Sequence, residues 1–259
     1  MAEYISVEQA KKQSGMRIVV APGIPGPWAE AVKGFCYVKK IPYSVVRFDI
    51  GAENTELVVW SAQASAPVMI WNDEFPKSVW SQQLALTERI QPNPGLIPSD
   101  LEDRLLLFGY ANELCGENGF GWCRRLMVVQ QMLAAPDLSA ENRAFGQYFG
   151  GKYGYSPEAG EAAPGRVAQI LESLGKRLES QKAAGSRYFI GESLTALDIY
   201  WAAFATLITP LPEEICPMGD MNRFMYTNTD ASVQATLNPL LLEHRDFIYN
   251  EYLELPVDL

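Results

Sequence analysis

Thr195-Ala196-Leu197-Asp198-Ile199-Tyr200-Trp201-Ala202-Ala203-Phe204 is the stretch whose reading decides the fold. Thr195 and Asp198 have the spacing of a capping box, in which hydroxyl and carboxylate satisfy orphan N–H groups of a first helical turn. From Ile199 to Leu207 the chain is apolar nearly all round. A helix with no polar face must be enclosed, so the segment predicts the buried centre of a helical bundle. Pro210 and Pro212 end it.

Around this centre, helical signals occupy everything after residue 98. Ser99-Asp100-Leu101-Glu102 predicts a second capping box, with Ser99 as cap, opening a helix to about Cys115. Further helices are expected over residues 122–135, 139–149 and 164–184, with an amphipathic segment near Phe247, Ile248 and Tyr252. Before residue 91 the grammar differs. Short β-branched runs begin at Arg17, Tyr43 and Val68, and a short fourth strand is expected over residues 77–80. Gly26-Pro27 opens a helix between the first two, proline fitting the first helical position. A β-α-β unit implies a parallel pair with a crossover helix. Pro92, Pro94, Gly95 and Pro98 punctuate the boundary. The expected organisation is an N-terminal extension (1–15), a mixed α/β domain (16–91), a linker (92–98), and an all-helical domain with a C-terminal extension (99–259).

The 259 residues carry 21 Lys plus Arg against 31 Asp plus Glu, a net charge of −10, which argues against non-specific nucleic-acid binding. The one histidine, His244, and four cysteines without a CxxC pair make zinc and dithiol redox sites poor expectations, so no metal is expected. Cys36, Cys115, Cys123 and Cys216 read as buried free thiols of a reducing compartment. His244, among charged neighbours, reads as a solvated helix face. No run approaches the length of a membrane span, and residues 1–15 lack the apolar core of a signal peptide. A cytoplasmic protein without membrane contact is expected.

The order of parts resembles the cytosolic glutathione transferases: a thioredoxin-like N-terminal domain, a proline-rich linker and a helical C-terminal domain. Three patterns carry the resemblance. Ala66-Pro67-Val68 looks like the family's cis-proline turn before the third strand. Phe189-Ile190-Gly191 with residues 194–198 looks like its buried capping-box helix. Glu88-Arg89-Ile90 sits where its third helix ends. The resemblance spans about residues 16–208. It implies reduced glutathione as cosubstrate, a small apolar electrophile as acceptor, and a homodimer.

Residue by residue, the resemblance implies a short antiparallel rung between the backbone of Val68, after Pro67, and glutathione's cysteine. It implies contacts from the helix beginning near Ser81, whose N–H groups suit a carboxylate. The family's Glu-Ser falls on Gln82 and Gln83. The nucleophile position falls on Gly26, and no Ser, Cys or Tyr stands between Val20 and Phe35. The chain is thus a divergent member by this reading. Either backbone N–H groups near Gly26 and Trp28 hold the thiolate, or a tyrosine of the helical domain does, from among Tyr110, Tyr148, Tyr153 and Tyr155. Trp28 either walls the thiol site or packs under the sheet. The glycine–aromatic segments 117–122 and 148–155 are candidates for an acceptor pocket. The alternative function is a non-catalytic homologue that serves as a ligand-binding or protein-interaction module.

Overall fold

The computed structural model describes residues 3–259. In chain order the first half contains β1 (Tyr4–Ile5), α1 (Val7–Lys11), β2 (Met16–Val20), α2 (Pro27–Val38), β3 (Tyr43–Arg47), α3 (Thr55–Ser61), β4 (Val68–Trp71) and α4 (Trp80–Ile90). The sheet order is β1-β3-β2-β4. β2 and β3 run parallel with Ile18 opposite Val45, joined by α2 as crossover, and β4 runs antiparallel to β2 with Ile18 opposite Met69. Ile18, Val19, Val46, Val68 and Met69 have no solvent exposure, as a sheet covered on both faces requires.

Two expectations change here. Residues before Met16 are no appendage: β1 pairs parallel with β3, and Val7 and Ala10 of α1 join the core beneath the sheet. Residues 77–80 form no strand. Lys77 makes one bridge to Met69, with bonds of 2.8 and 2.9 Å in both directions, and Trp80 already opens α4. Between Pro76 and that helix there is room for a single rung.

The second half is helical: α5 (Leu101–Cys115), α6 (Phe120–Leu133), α7 (Ala140–Lys152), α8 (Pro157–Ala183), α9 (Ala196–Ala205), α10 (Asp220–Tyr226), α11 (Ala231–Thr236) and α12 (Pro239–Tyr252). Every residue of α9 is buried, as its sequence predicts. The Asp198 carboxylate accepts from the N–H of Phe189 (2.9 Å), the N–H of Thr195 (2.8 Å) and the Thr195 hydroxyl (2.8 Å). His244 is not solvated. It is 4% exposed, with Nε2 3.0 Å from Asp198 Oδ1, because α12 lays its apolar face on α9.

Other boundaries shift with their caps. Asp100 rather than Ser99 caps α5, accepting from Asp103 N–H at 3.1 Å. α8 starts at Pro157 under a Ser156 cap and carries Pro164 inside, forgoing one i→i−4 bond there. Residues 91–98 hold no helix or strand, but they are tied down. Buried Lys39 donates to the carbonyls of Gln91 (2.8 Å) and Pro94 (2.6 Å) and pairs with Glu88 at 2.6 Å. Ala196 N–H bonds Leu96 O at 2.8 Å, which ties the start of α9 to the linker.

Candidate functional site

A cleft of about 440 Å³ separates the two halves. One wall holds Gly26, Trp28, Phe48, Ile50, Ala66 and Pro67; the other holds Arg125, Met132, Phe149, Lys152, Met225 and Tyr226. Each wall has its own logic.

On the sheet wall, the Ala66–Pro67 peptide is cis. Met69 spends both backbone groups on Lys77, on the outer side of β4. Alternation along a strand then turns the N–H and C=O of Val68 and Ile70 toward β2, where Val68 sits opposite Val19. Val68 is fully buried, so the expected rung is not at Val68. Ala66 lines the cleft, and its N–H and C=O make no hydrogen bond among the described residues. The position able to add a rung to a peptide is therefore Ala66.

Gln83 does not face the cleft either. It is 1% exposed, and its Nε2 donates to Pro67 O and Lys77 O, both at 3.1 Å. It braces the turn from behind. Ser81 is half-buried in the first turn of α4 and Gln82 is exposed; neither lines the cleft. Ser81 is no cap, since Val79 holds that position without a side-chain bond. The first-turn N–H groups of α4 keep the donor character of a helix start.

At the start of α2, Gly26 N–H is taken by Ile24 O at 2.8 Å, and Pro27 has none. The donors left for an anion are the N–H groups of Trp28 and Ala29. The Trp28 ring does not pack under the sheet. Its Nε1 donates to Cys115 O at 3.0 Å, and its ring meets Phe204 edge-on at 4.9 Å. A Cβ on Gly121 would lie 2.8 Å from that ring and 2.5 Å from Phe204, so segment 117–122 serves this packing and not an acceptor pocket.

On the helical wall, segment 148–155 is mostly helix, since α7 runs to Lys152, and it does line the cleft. Tyr148 and Tyr153 face it; Tyr110 and Tyr155 do not, Tyr155 being engaged with Gln130. Burial raises the Tyr153 pKa against the opposing pull of Arg125. The tyrosine that reaches the α2 entrance is another one. Tyr226 of α10 is 1% exposed, donates to Pro25 O at 3.1 Å, and accepts from Arg125 at 3.2 Å. It lies in the last fifty residues, where nothing local distinguishes it. All four cysteines are buried. Desolvation pushes Cys36 and Cys216 up to about 12 and Cys123 to about 11, and none lines the cleft.

Among the described residues, no group of three or more His, Cys, Asp or Glu side chains is placed to hold a metal, and no helix is long and apolar enough to cross a membrane. No family model matches the sequence, and no curated protein matches it. Solved structures do. A Tau class glutathione S-transferase from mango is 19% identical with a TM-score of 0.54, covering 91% of this chain and 98% of its own. A glutathione S-transferase from Methylobacterium radiotolerans, in complex with glutathione sulfonate, is 16% identical with a TM-score of 0.56, over 91% of each chain. Ure2p in complex with glutathione is 12% identical with a TM-score of 0.59, covering 92% of this chain and 97% of its own. The chain has the fold of the glutathione S-transferases, a thioredoxin-like domain joined to a helical one.

Proposed function

We propose that the cleft binds reduced glutathione and transfers it, through its sulfur, to a small electrophile held against the helical wall. One observation carries the reading. In a chain of this fold, the residue before the cis-proline, Ala66, leaves both backbone groups unpaired at the cleft surface. Glutathione's cysteine would add one antiparallel rung there. The N–H groups of Trp28 and Ala29 favour the thiolate over the thiol, as a helix N-terminus does. The thiol proton passes to solvent, the sulfur bonds the electrophilic atom, and the leaving group departs with its electron pair. The protein contributes thiolate stabilisation and proximity.

A second reading, a binding module without turnover, is favoured by a specific feature. No Ser, Cys or Tyr stands at the start of α2, and the Tyr226 hydroxyl gives its proton to Pro25 O. Calorimetric titration of reduced glutathione tests the first reading: saturable binding is expected, and its absence at millimolar ligand sinks it and leaves a module for another ligand or a protein partner. Conjugation of an electrophile panel, compared with the uncatalysed rate, separates the two.

We further propose a cytoplasmic homodimer. Leu101 and Leu105 are 64% and 59% exposed one turn apart on α5, and Phe108, another turn on, meets Trp80 at the start of α4. A second copy would cover this apolar face. A sedimentation coefficient matching a 28.8 kDa particle would refute it.

A further inference from the structure

The chemical class of the second ligand is written in the charges of the helical wall. Arg125 and Lys152 both line the cleft, and no carboxylate does, in a chain whose net charge is −10. Three cations elsewhere in the molecule have acidic partners: Lys39 with Glu88, Arg166 with Glu113, Arg223 with Glu213. Arg125 has none among the described residues. Its guanidinium donates to the Tyr226 hydroxyl at 3.2 Å and lies 5.2 Å from the Tyr226 ring and 5.9 Å from the Phe149 ring, while its Nε is buried without a partner. The preceding Arg124 shows the contrast. It is buried and engaged by Leu207 O (2.8 Å) and Asn228 Oδ1 (3.2 Å), a purely structural arginine.

Lys152 stands at the rim, where its Nζ reaches across the cleft to Ser65 Oγ at 2.6 Å. Burial first, and the charge of Arg125 second, hold its pKa below the usual lysine value. Lys152 Nζ lies 5.6 Å from the Tyr153 ring and Arg125 5.9 Å from the Phe149 ring, and those two rings are 5.1 Å apart, so both cations border one aromatic pair. A cation held only by neutral hydroxyls is incompletely compensated, and an anion placed between two such groups relieves their repulsion and satisfies their donors.

We propose that the second ligand of this cleft is an apolar or aromatic compound bearing an acid group, whose anion seats between Arg125 and Lys152. Its body lies on Phe149, Met132 and Met225. The inference rests on the glutathione reading only for calling this ligand an acceptor. It amends the expectation of a wholly apolar electrophile.

The test uses phenylbutyrate and its neutral isostere phenylbutyramide, each displacing the uncharged dye N-phenylnaphthylamine from the full-length protein. The acid is expected to bind at least about tenfold tighter than the amide, the scale of one charge-assisted contact. Arg125→Met and Lys152→Met should each shrink that preference, the double variant should abolish it, and Lys152→Arg should keep it. Lys152, at the rim, keeps the test open where Arg125→Met fails to fold. Equal binding of acid and amide, binding of neither, or a preference surviving in the double variant overturns the proposal. Glutathione is titrated into the same variants. Loss of glutathione affinity with the acid preference intact assigns the cations to glutathione's own carboxylates and also overturns it. Retained acid preference in a protein that never binds glutathione sinks the transferase reading and leaves this inference standing.

Discussion

The two walls of the cleft are built from different material. The sheet wall offers backbone: the free groups of Ala66, the first-turn N–H groups of Trp28 and Ala29, and a brace from Gln83 behind. The helical wall offers side chains: Arg125, Lys152, Tyr226 and the ring of Phe149. A backbone site survives changes of side-chain identity, since its geometry is fixed by strand and turn. A side-chain wall is free to change with its ligand.

The comparison breaks most severely at the footing both walls share. Asp198→Ala removes three donated hydrogen bonds and the His244 contact from a fully buried site. A loss of about 3–5 kcal/mol is expected, the usual consequence of dismantling a buried charged network, read by urea denaturation. A change under about 1 kcal/mol would mean that α9 does not anchor the fold.

Gln83→Ala comes next. It leaves the carbonyl of Pro67 without its donor, takes one of two donors from Lys77 O, and should cost about 1–3 kcal/mol of stability. Gln82→Ala, one residue away but exposed, should stay within about 0.5 kcal/mol. Equal effects would erase the distinction between brace and surface.

A smaller effect tests the rung directly. Ala66→Pro deletes one N–H and should weaken glutathione about fivefold to tenfold, the worth of one hydrogen bond. Val68→Pro, which deletes the N–H that Val68 turns toward β2, should destabilise the fold yet leave that affinity unchanged in the protein that remains folded. The reverse pattern, by calorimetry, returns the rung to Val68.

The smallest effect concerns the thiols. Buried Cys36, with its pKa raised to about 12, stays a protonated thiol at pH 8, well below that value, and thiolate is the reacting form. Ellman's reagent should report almost no fast-reacting thiol in the native protein and four after denaturation. A fast native thiol would put a nucleophile where neither wall has one.

Much of the fold was legible because its signals are local. The all-apolar run after Thr195, the β-α-β alternation and the prolines of residues 92–98 each constrain their own segment. The strand expected over residues 77–80 failed since a bridge and a helix start share the same few residues. The site was less legible. Val68 in place of Ala66 is an error of where the ladder ends: Val68 is the last residue of β4 paired with β2, opposite Val19, and Ala66 lies beyond that end.

The sequence alone determined the two halves, the buried helix at the centre of the second, and the position of the proline turn, because propensity, capping and periodicity act within a few residues. Only the tertiary structure decided what faces the cleft. The Met69–Lys77 bridge sets which backbone groups stay free. Arg125 meets Tyr226 across a separation of 101 residues, and Lys152 meets Ser65 across 87. Such meetings follow from how packed helices close on a sheet, a property of the whole chain that no short stretch encodes.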